Sequence, residues 1–579
     1  MPQAQDALSL VHEGWDHLKH QRPLAAWASW QRALRIDPDA EAAQNALDAL
    51  AGAEGLPASA RREYRFRTPA DAPRRARWDA AFRGRDLTDL DAAAAAFAGL
   101  AAADASDADA LYNRALCLAW LGRNADAVGW LDRVVEALAV ADTEAAVSAW
   151  TLAGVLRQGG GAEPIADEFR HAIDLGDLGD TAELHAALAG RAVLRRLPPP
   201  VVPGDAPGRD DLTVDEWLDR DWPEPTDRPL GLGDVPRVLA IVVGNARGLR
   251  LSIPRADSLP TIVRTLDDLG IEPPVPTRTP LPLTLLDASA WTIRLPGWLG
   301  DDDRRRLYRE HVEDYYENAG IARPRAGLGG LTPVEAARGD AAALARLEAT
   351  IRLLEELSVR PSAIELYQGY PFDRLRRRLG LAVRDPRAID PDDPATMSGP
   401  DLDRLDLDAL GDEALADAIR SATALGEDAR TARFAAKLVE RRSPALARHD
   451  LEVVFAARVR LALAEDRPDD ALAWIDRAIE VDAAFQGGRY RRAFTTWRAE
   501  VLARVDDPDG SLATYQSLLE ATGPAEAAEV AADGAATLLD NGHGGHARRL
   551  AEVALDLALD RGDTPGQVMA RALLDRLEV

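Results

Sequence analysis

Cysteine, methionine and lysine are nearly missing from this chain. Of its 579 residues one is cysteine and three are methionine, and lysine occurs only as Lys19 and Lys437. A lone cysteine excludes an internal disulfide framework and suits a reducing compartment. Cys117 lies in the apolar helical run Ala115-Leu116-Cys117-Leu118-Ala119-Trp120, the setting of a buried, inert thiol. No apolar run approaches the ~18 residues of a membrane-spanning helix. The opening Met1-Pro2-Gln3-Ala4-Gln5-Asp6 has neither the basic nor the apolar region of a secretory leader. A cytoplasmic protein with no membrane partner is the expectation.

Positive charge is scarce relative to negative, with 69 Lys and Arg against 96 Asp and Glu and a net charge of −27. That balance excludes the basic surface that nucleic acids and anionic lipids require. It points instead to a partner protein offering a basic or amphipathic segment. The replacement of lysine by abundant arginine fits the coding bias of a GC-rich genome better than a salt-adapted surface. Hydrophobic residues at 47% and charged residues at 28% describe an ordinary folded chain, long enough for roughly three or four domains.

Signatures of catalysis are also lacking. Gly327-Leu328-Gly329-Gly330 is followed by neither the Gly-Lys-Ser/Thr of a phosphate-binding loop nor the spacing of a dinucleotide fingerprint. No Gly-x-Ser-x-Gly elbow and no His-Glu-x-x-His helix occurs. His12, Asp16 and His20 fall on one helix face at a spacing that can bind a metal, and His543-Gly544-Gly545-His546 reads as an interhelical turn. Neither set is carried forward as a site. The expectation is a non-enzymatic protein with no cofactor and no metal.

What is present is a repeat. Small residues recur where the two helices of a 34-residue hairpin would touch, at positions 8, 20 and 27, with a large apolar residue at position 24. A unit from Ala7 supplies Gly14, Ala26, Trp30, Ala33 and a closing Pro38. A unit from Arg74 supplies Ala81, Ala93, Phe97 and Leu100, and one from Ala108, in phase with it, supplies Ala115, Ala127, Leu131 and Val134. A fourth from Ala146 reads Ala153, Ile165, Phe169 and Ala172. The pattern returns from Glu413 (Ala432, Ala436, Val439, Pro444) and from Glu452 (Val459, Ala471, Ile475, Ala478). Looser units follow from Ala493 and Ala528, and Arg420 and Glu500 depart from the small residue expected at position 8.

These residues, and the ending Arg32-Ala33-Leu34-Arg35-Ile36-Asp37-Pro38, resemble the tetratricopeptide repeat. The resemblance implies stacked helical hairpins whose first helices line a concave face that holds peptides or partner helices. Chaperone-binding members clamp a terminal carboxylate with Lys at position 5 and Asn at position 9. The first unit carries Val11 and Trp15 there and the third Tyr112 and Leu116, so that clamp is absent.

The middle of the chain differs. After Leu197-Pro198-Pro199-Pro200, a Pro-, Asp- and Gly-rich stretch has linker composition. Val238–Val243 and Leu249–Ile253, either side of a glycine-containing loop, predict a β-hairpin. A further β-like run spans 281–295 and a helix starts at Asp301. In Gly327-Leu328-Gly329-Gly330-Leu331-Thr332-Pro333-Val334-Glu335, Thr332 predicts a helix N-cap, Pro333 the first helical residue and Glu335 the reciprocal cap. A second helix is expected from Ala342 to Leu357. The segment resembles the Leu-Gly-Gly-x-Thr-Pro motif of Xre/ParS-type antitoxin toxin-binding domains and of bacterial repeat proteins with a SEC-C tail. No DNA-reading helix-turn-helix precedes it, and one cysteine cannot build a zinc tail.

The sequence therefore predicts a mainly α protein: two tetratricopeptide-like α-solenoid arms, 1–197 and 412–579, flanking an α+β insert at 235–385, with linkers at 198–234 and 386–411. Its expected role is a scaffold or adaptor gripping a peptide or helix in the concave groove. Two alternatives are a toxin-neutralising module acting through 327–338 and an enzyme housed in 235–385. Trp120 and Trp130 are either core or partner anchors. With Leu328, Gly329, Gly330, Thr332 and Pro333 they form the expected partner-binding set.

Overall fold

The computed structural model describes residues 2–82, 89–157, 168–175, 181–197, 213–225, 229–245, 248–281, 293–360, 367, 369–388, 390, 392–447 and 450–577. The chain forms two compact units, Met1–Val383 and Arg384–Val579.

The first unit begins with α1 (Pro2–Lys19) and α2 (Pro23–Ile36), followed by α3 (Glu41–Ala51) and the short α4 (Ala58–Arg61). A Cβ placed on Gly14 would lie 2.2 Å from Trp30 Nε1, so repeat position 8 is glycine because the tryptophan at position 24 occupies the space. The Trp30 indole donates to the Val11 carbonyl at 3.1 Å, which satisfies its one polar atom inside the core. Then come α5 (Ala72–Phe82), α6 (Leu90–Ala103), α7 (Ala108–Trp120), α8 (Asn124–Leu138) and α9 (Thr143–Arg157). Asp89 and Asp107 cap α6 and α7 by accepting from Ala92 N and Ala110 N, as short acidic side chains do at helix starts. Each helix from α5 to α9 packs on the next. The first hairpin does not simply extend that stack, because α2 lies against α7 and Trp27 stacks on Trp120 at 5.7 Å.

The fourth repeat is half correct. α9 is its first helix, but Phe169 and Ala172, expected in the second, lie in strand β1 (Glu168–Asp174); Ile165 lies outside the described residues. The helix that packs on α9 is α14 (Ala341–Ser358), from much later in the chain. At the crossing, a Cβ on Gly154 would be 2.7 Å from Leu353 Cδ2. Sheet pairing on both edges of β1 outweighed a small-residue pattern that alanine-rich sequence satisfies easily.

Between α9 and α14 the chain builds a six-stranded sheet of order β2-β3-β4-β5-β1-β6, with every neighbouring pair antiparallel. Its other strands are β2 (Val193–Arg196), β3 (Thr213–Leu218), β4 (Val238–Asn245), β5 (Gly248–Ile253) and β6 (Thr277–Leu281). The expected hairpin is β4–β5, with Val242 opposite Leu251. α10 (Thr181–Ala189) and α11 (Leu259–Asp268) supply Leu188, Ile262 and Leu266 to a core with Ile173, Trp217, Val242 and Leu251. The boundary at 197 and the linker at 198–234 are corrected accordingly: β1 and β2 precede Leu197, and β3 falls in the proline-rich stretch. Asp215 and Glu216 hid β3, because acidic residues mid-strand break the apolar alternation. Of the expected run at 281–295, residues 282–292 lie outside the described residues, and Ile293 bridges Arg237.

The unit closes with α12 (Asp301–Asp314), α13 (Pro333–Ala337), α14 and α15 (Asp373–Arg378). Arg376 is fully buried. Its guanidinium is held by Glu348 at 3.0 Å, by Asp373 at 3.1 Å and by Glu355. Beside it, buried Glu317 accepts from Arg374 at 2.6 Å and from the Tyr370 hydroxyl at 3.0 Å. These charges tie α15 to α14 and to the end of α12.

The second unit starts in the segment expected as a linker. There Thr396 and Leu402, the latter in α16 (Gly399–Asp403), are fully buried. Ser421 donates to the Pro394 carbonyl at 2.6 Å, so the segment covers the first helix of the array. Four hairpins follow: α17 (Asp412–Ala424) with α18 (Asp428–Glu440), α19 (Leu451–Ala464) with α20 (Pro468–Phe485), α21 (Arg491–Arg504) with α22 (Pro508–Ala521), and α23 (Pro524–Asp540) with α24 (Gly544–Arg561). α25 (Thr564–Arg576) closes the series. Consecutive helices pack on one another throughout, which is how repeats that cannot bury their own apolar faces become stable. Among the described residues no helix is long and apolar enough to cross a membrane.

Candidate functional site

The site is built from the first helices of three consecutive hairpins in the second unit. On α19, residues 456, 459, 460 and 463 follow the i, i+3, i+4, i+7 spacing that places side chains on one helix stripe. On α21, residues 497, 500, 501 and 504 repeat it. Together with Thr537, Asp540 and Asn541 of α23, these side chains enclose a groove of about 530 Å³. Its floor is apolar: Ala456, Val459, Leu463, Trp497 and Val501. The Trp497 ring is braced edge-on by Phe494 at 5.2 Å, which fixes a flat aromatic wall.

The charges around this floor are unevenly matched. Arg460 is neutralised by Asp428 at 2.7 Å and Asp540 by Arg576 at 2.9 Å. The Thr537 hydroxyl accepts from the Tyr515 hydroxyl at 3.2 Å, and its carbonyl accepts from Asn541 Nδ2 at 2.8 Å. Glu500 is different. Its carboxyl is held above the ordinary range, first because the groove removes water from it and then because Asp533 lies close by. Asp533 is pushed up in turn by burial and by Glu529, partly offset by Arg492. Among the described residues neither Glu500 nor Arg504 has an ion-pair partner within 4.0 Å. The groove thus offers an apolar floor, the Glu500 carboxylate with Asp533 close by, and the Arg504 guanidinium.

The expected anchors lie elsewhere. Trp120 is buried, with Trp27 stacked on it and Phe66 edge-on at 5.1 Å, so its ring is taken up by the chain itself. Trp130 is half-buried beneath Arg114 and Arg133, 4.6 and 4.4 Å from its centroid. The glycine motif is fastened to the helical array: Trp150 Nε1 donates to the Gly327 carbonyl at 2.9 Å, and Arg157 to that of Ala326 at 3.1 Å. Leu328 and Pro333 are buried. Gly329 and Gly330 adopt φ of 69° and 87°, where a Cβ is disfavoured. Thr332 accepts from Glu335 N at 3.1 Å while Glu335 Oε2 accepts from Thr332 N at 2.8 Å, so the expected capping box is formed.

Other polar clusters are also used internally. Buried Asp215 accepts from His185 Nε2 at 2.8 Å and from Arg196 Nε at 2.7 Å, pinning α10 and β2 to β3. His543 and His546 reach back to the Ala503 carbonyl and to Asp509. The Cys117 thiol is pushed up to about 12 by burial. Among the described residues no group of three His, Cys, Asp or Glu side chains stands ready for a metal, and His12, Asp16 and His20 form no such group.

The repeat pattern in the sequence does not single out these residues: Glu500 is a departure from the small residue of position 8, and Arg504 and Asp540 carry no individual signal. The repeated four-residue stripe on α19 and α21 is the pattern that marks them.

No protein-family model matches the chain, and no curated protein matches it. Among solved structures, yeast Tom70 is 13% identical over 99% of this chain and 96% of that one, with a TM-score of 0.24. Cut9–Hcn1, an APC/C hetero-tetramer, gives 11% identity over 99% and 76%, with a TM-score of 0.23. A circular tandem repeat protein with novel repeat topology and enhanced subunit contact surfaces gives 11% over 99% and 96%, with a TM-score of 0.16. Likeness at this level carries no weight beside the helix pairing seen directly.

Proposed function

We propose that this protein is a tetratricopeptide-like interaction scaffold and that the groove across α19, α21 and α23 holds an amphipathic segment of a partner protein. The observation that carries the reading is the pairing of an apolar floor with Glu500, which has Asp533 close by and no ion-pair partner among the described residues. One apolar side chain of the partner covers Val459, Leu463, Trp497 and Val501, and a neighbouring Lys or Arg meets the two carboxylates. Removing like-charge repulsion in a partly desolvated site favours a cation there. Arg504 accommodates a carboxylate or a C=O at the other end of the segment.

Selection of a random peptide library on the immobilised full chain tests this. Recovered peptides are expected to pair an apolar residue with Lys or Arg, and Glu500→Gln with Asp533→Asn is expected to erase the basic preference. Recovery of acidic peptides, or of the same peptides after Trp497→Ala, would remove the groove as the site. The alternative of a toxin-binding motif draws no support from the geometry of 327–338, where the motif's polar groups serve the chain itself.

A further inference from the structure

The side of α7 that carries Tyr112, Asn113 and Trp120 is covered by an extended piece of the same chain, Arg62–Pro69. Asn113 is fully buried. Its Oδ1 accepts from the Arg67 backbone N–H at 2.7 Å, and its Nδ2 donates to the Arg67 carbonyl at 2.7 Å. Both bonds go to backbone, so they recognise an extended chain rather than one particular side chain, as in strand-like peptide recognition.

Side chains add selectivity around that fixed point. Phe66 packs against Phe97 at 5.3 Å and Trp120 at 5.1 Å. The Arg67 guanidinium lies 4.0 Å from the centre of the Tyr112 ring, and Tyr64 is buried two residues before Phe66. Arg62 and Arg65 remain exposed. Among the described residues, no backbone-to-backbone hydrogen bond ties Glu63–Thr68 to another element. Side chains add two ties, Arg75 Nε to the Pro69 carbonyl at 3.1 Å and the Tyr64 hydroxyl to the Ser59 carbonyl at 2.7 Å; a segment held by side chains and not by a backbone ladder belongs to the less stable parts of a fold.

We propose that this side of α7 is a binding site for an extended partner segment in which an aromatic residue precedes an arginine, and that Arg62–Pro69 is the chain's own occupant of it. The partner's aromatic ring replaces Phe66 on Trp120, its arginine replaces Arg67 on Tyr112, and Asn113 holds that arginine's backbone N–H and C=O. This site lies in the first unit and stands independently of the groove proposed above.

The test uses the full chain with Phe66→Ser and Arg67→Ser, titrated with a fluorescent peptide of residues 62–70. The variant is expected to bind the peptide at least tenfold more tightly than the unmodified chain, and Asn113→Ala added to it is expected to lose at least tenfold. A folded variant that binds no better than the unmodified chain, or binding indifferent to Asn113, would overturn the proposal. If the double variant fails to fold, amide exchange in the unmodified chain decides. The Arg67 amide is expected to exchange at least tenfold faster than that of Leu116 within α7, and faster still with excess peptide. Exchange of both amides together, unaffected by peptide, would show that the segment never leaves.

Discussion

The indole of Trp150 donates to the carbonyl of Gly327, joining residues 177 apart in the chain across 2.9 Å. It couples the last first-helix of the leading array to the loop that starts the α13–α14 pair. Trp150→Phe keeps most of the ring and removes this buried hydrogen bond, a loss of about 0.5–1.5 kcal/mol. One turn further on, Gly154→Val overpacks Leu353 and costs about 1–3 kcal/mol. Urea denaturation of the two variants checks both; an unchanged midpoint for either would contradict this α9–α14 contact.

Arg376 predicts a larger effect. Arg376→Met leaves Glu348, Glu355 and Asp373 facing one another without their shared cation, and breaking a buried ion cluster from one side costs about 3–5 kcal/mol. Thermal unfolding checks this, and an unchanged midpoint for the variant would contradict the role of the cluster.

The Leu-Gly-Gly-x-Thr-Pro segment predicts local, structural costs. Thr332→Ala removes the cap on α13 and is expected to lose ~1 kcal/mol. Gly330→Ala, at φ 87°, is expected to lose about 1–2 kcal/mol. Denaturant midpoints measure both, and peptide selection in the second-unit groove is expected to be unchanged by either.

Glu500 predicts a pH dependence with a definite sign. Its folded-state pKa lies above the ordinary carboxylate value, so the folded chain binds more protons there than the unfolded chain. Its contribution to stability is therefore greatest below the unfolded pKa and falls as pH rises through the carboxylate range. Glu500→Gln is expected to flatten that fall and to leave stability at neutral pH equal or higher. A steeper fall in the variant, seen in denaturation midpoints across pH 4 to 7, would reverse the assignment. Partner affinity is expected to run the other way and to weaken as the carboxylates protonate.

Much of the helical architecture was legible because it is local. Gly14 against Trp30, the capping box at Thr332 and the helices from Asp412 onward follow from residues a few turns apart, where periodicity and capping speak directly. The repeat pattern marks which helices come first in each hairpin, but not the chemistry they carry. Glu500 becomes informative only when Asp533, from the next hairpin, is brought beside it.

The amino-acid order by itself determined helical hairpins, the β4–β5 pairing, the α13 start and the absence of a disulfide framework, because each depends on spacing along the chain. Tertiary structure alone decided that α9 takes α14 as its partner, that Phe169 and Ala172 join a sheet, and that Arg62–Pro69 covers Trp120. Those outcomes are set by which distant surface buries the most apolar area and satisfies the most polar groups, and alanine-rich sequence leaves several candidates nearly equal until all are packed.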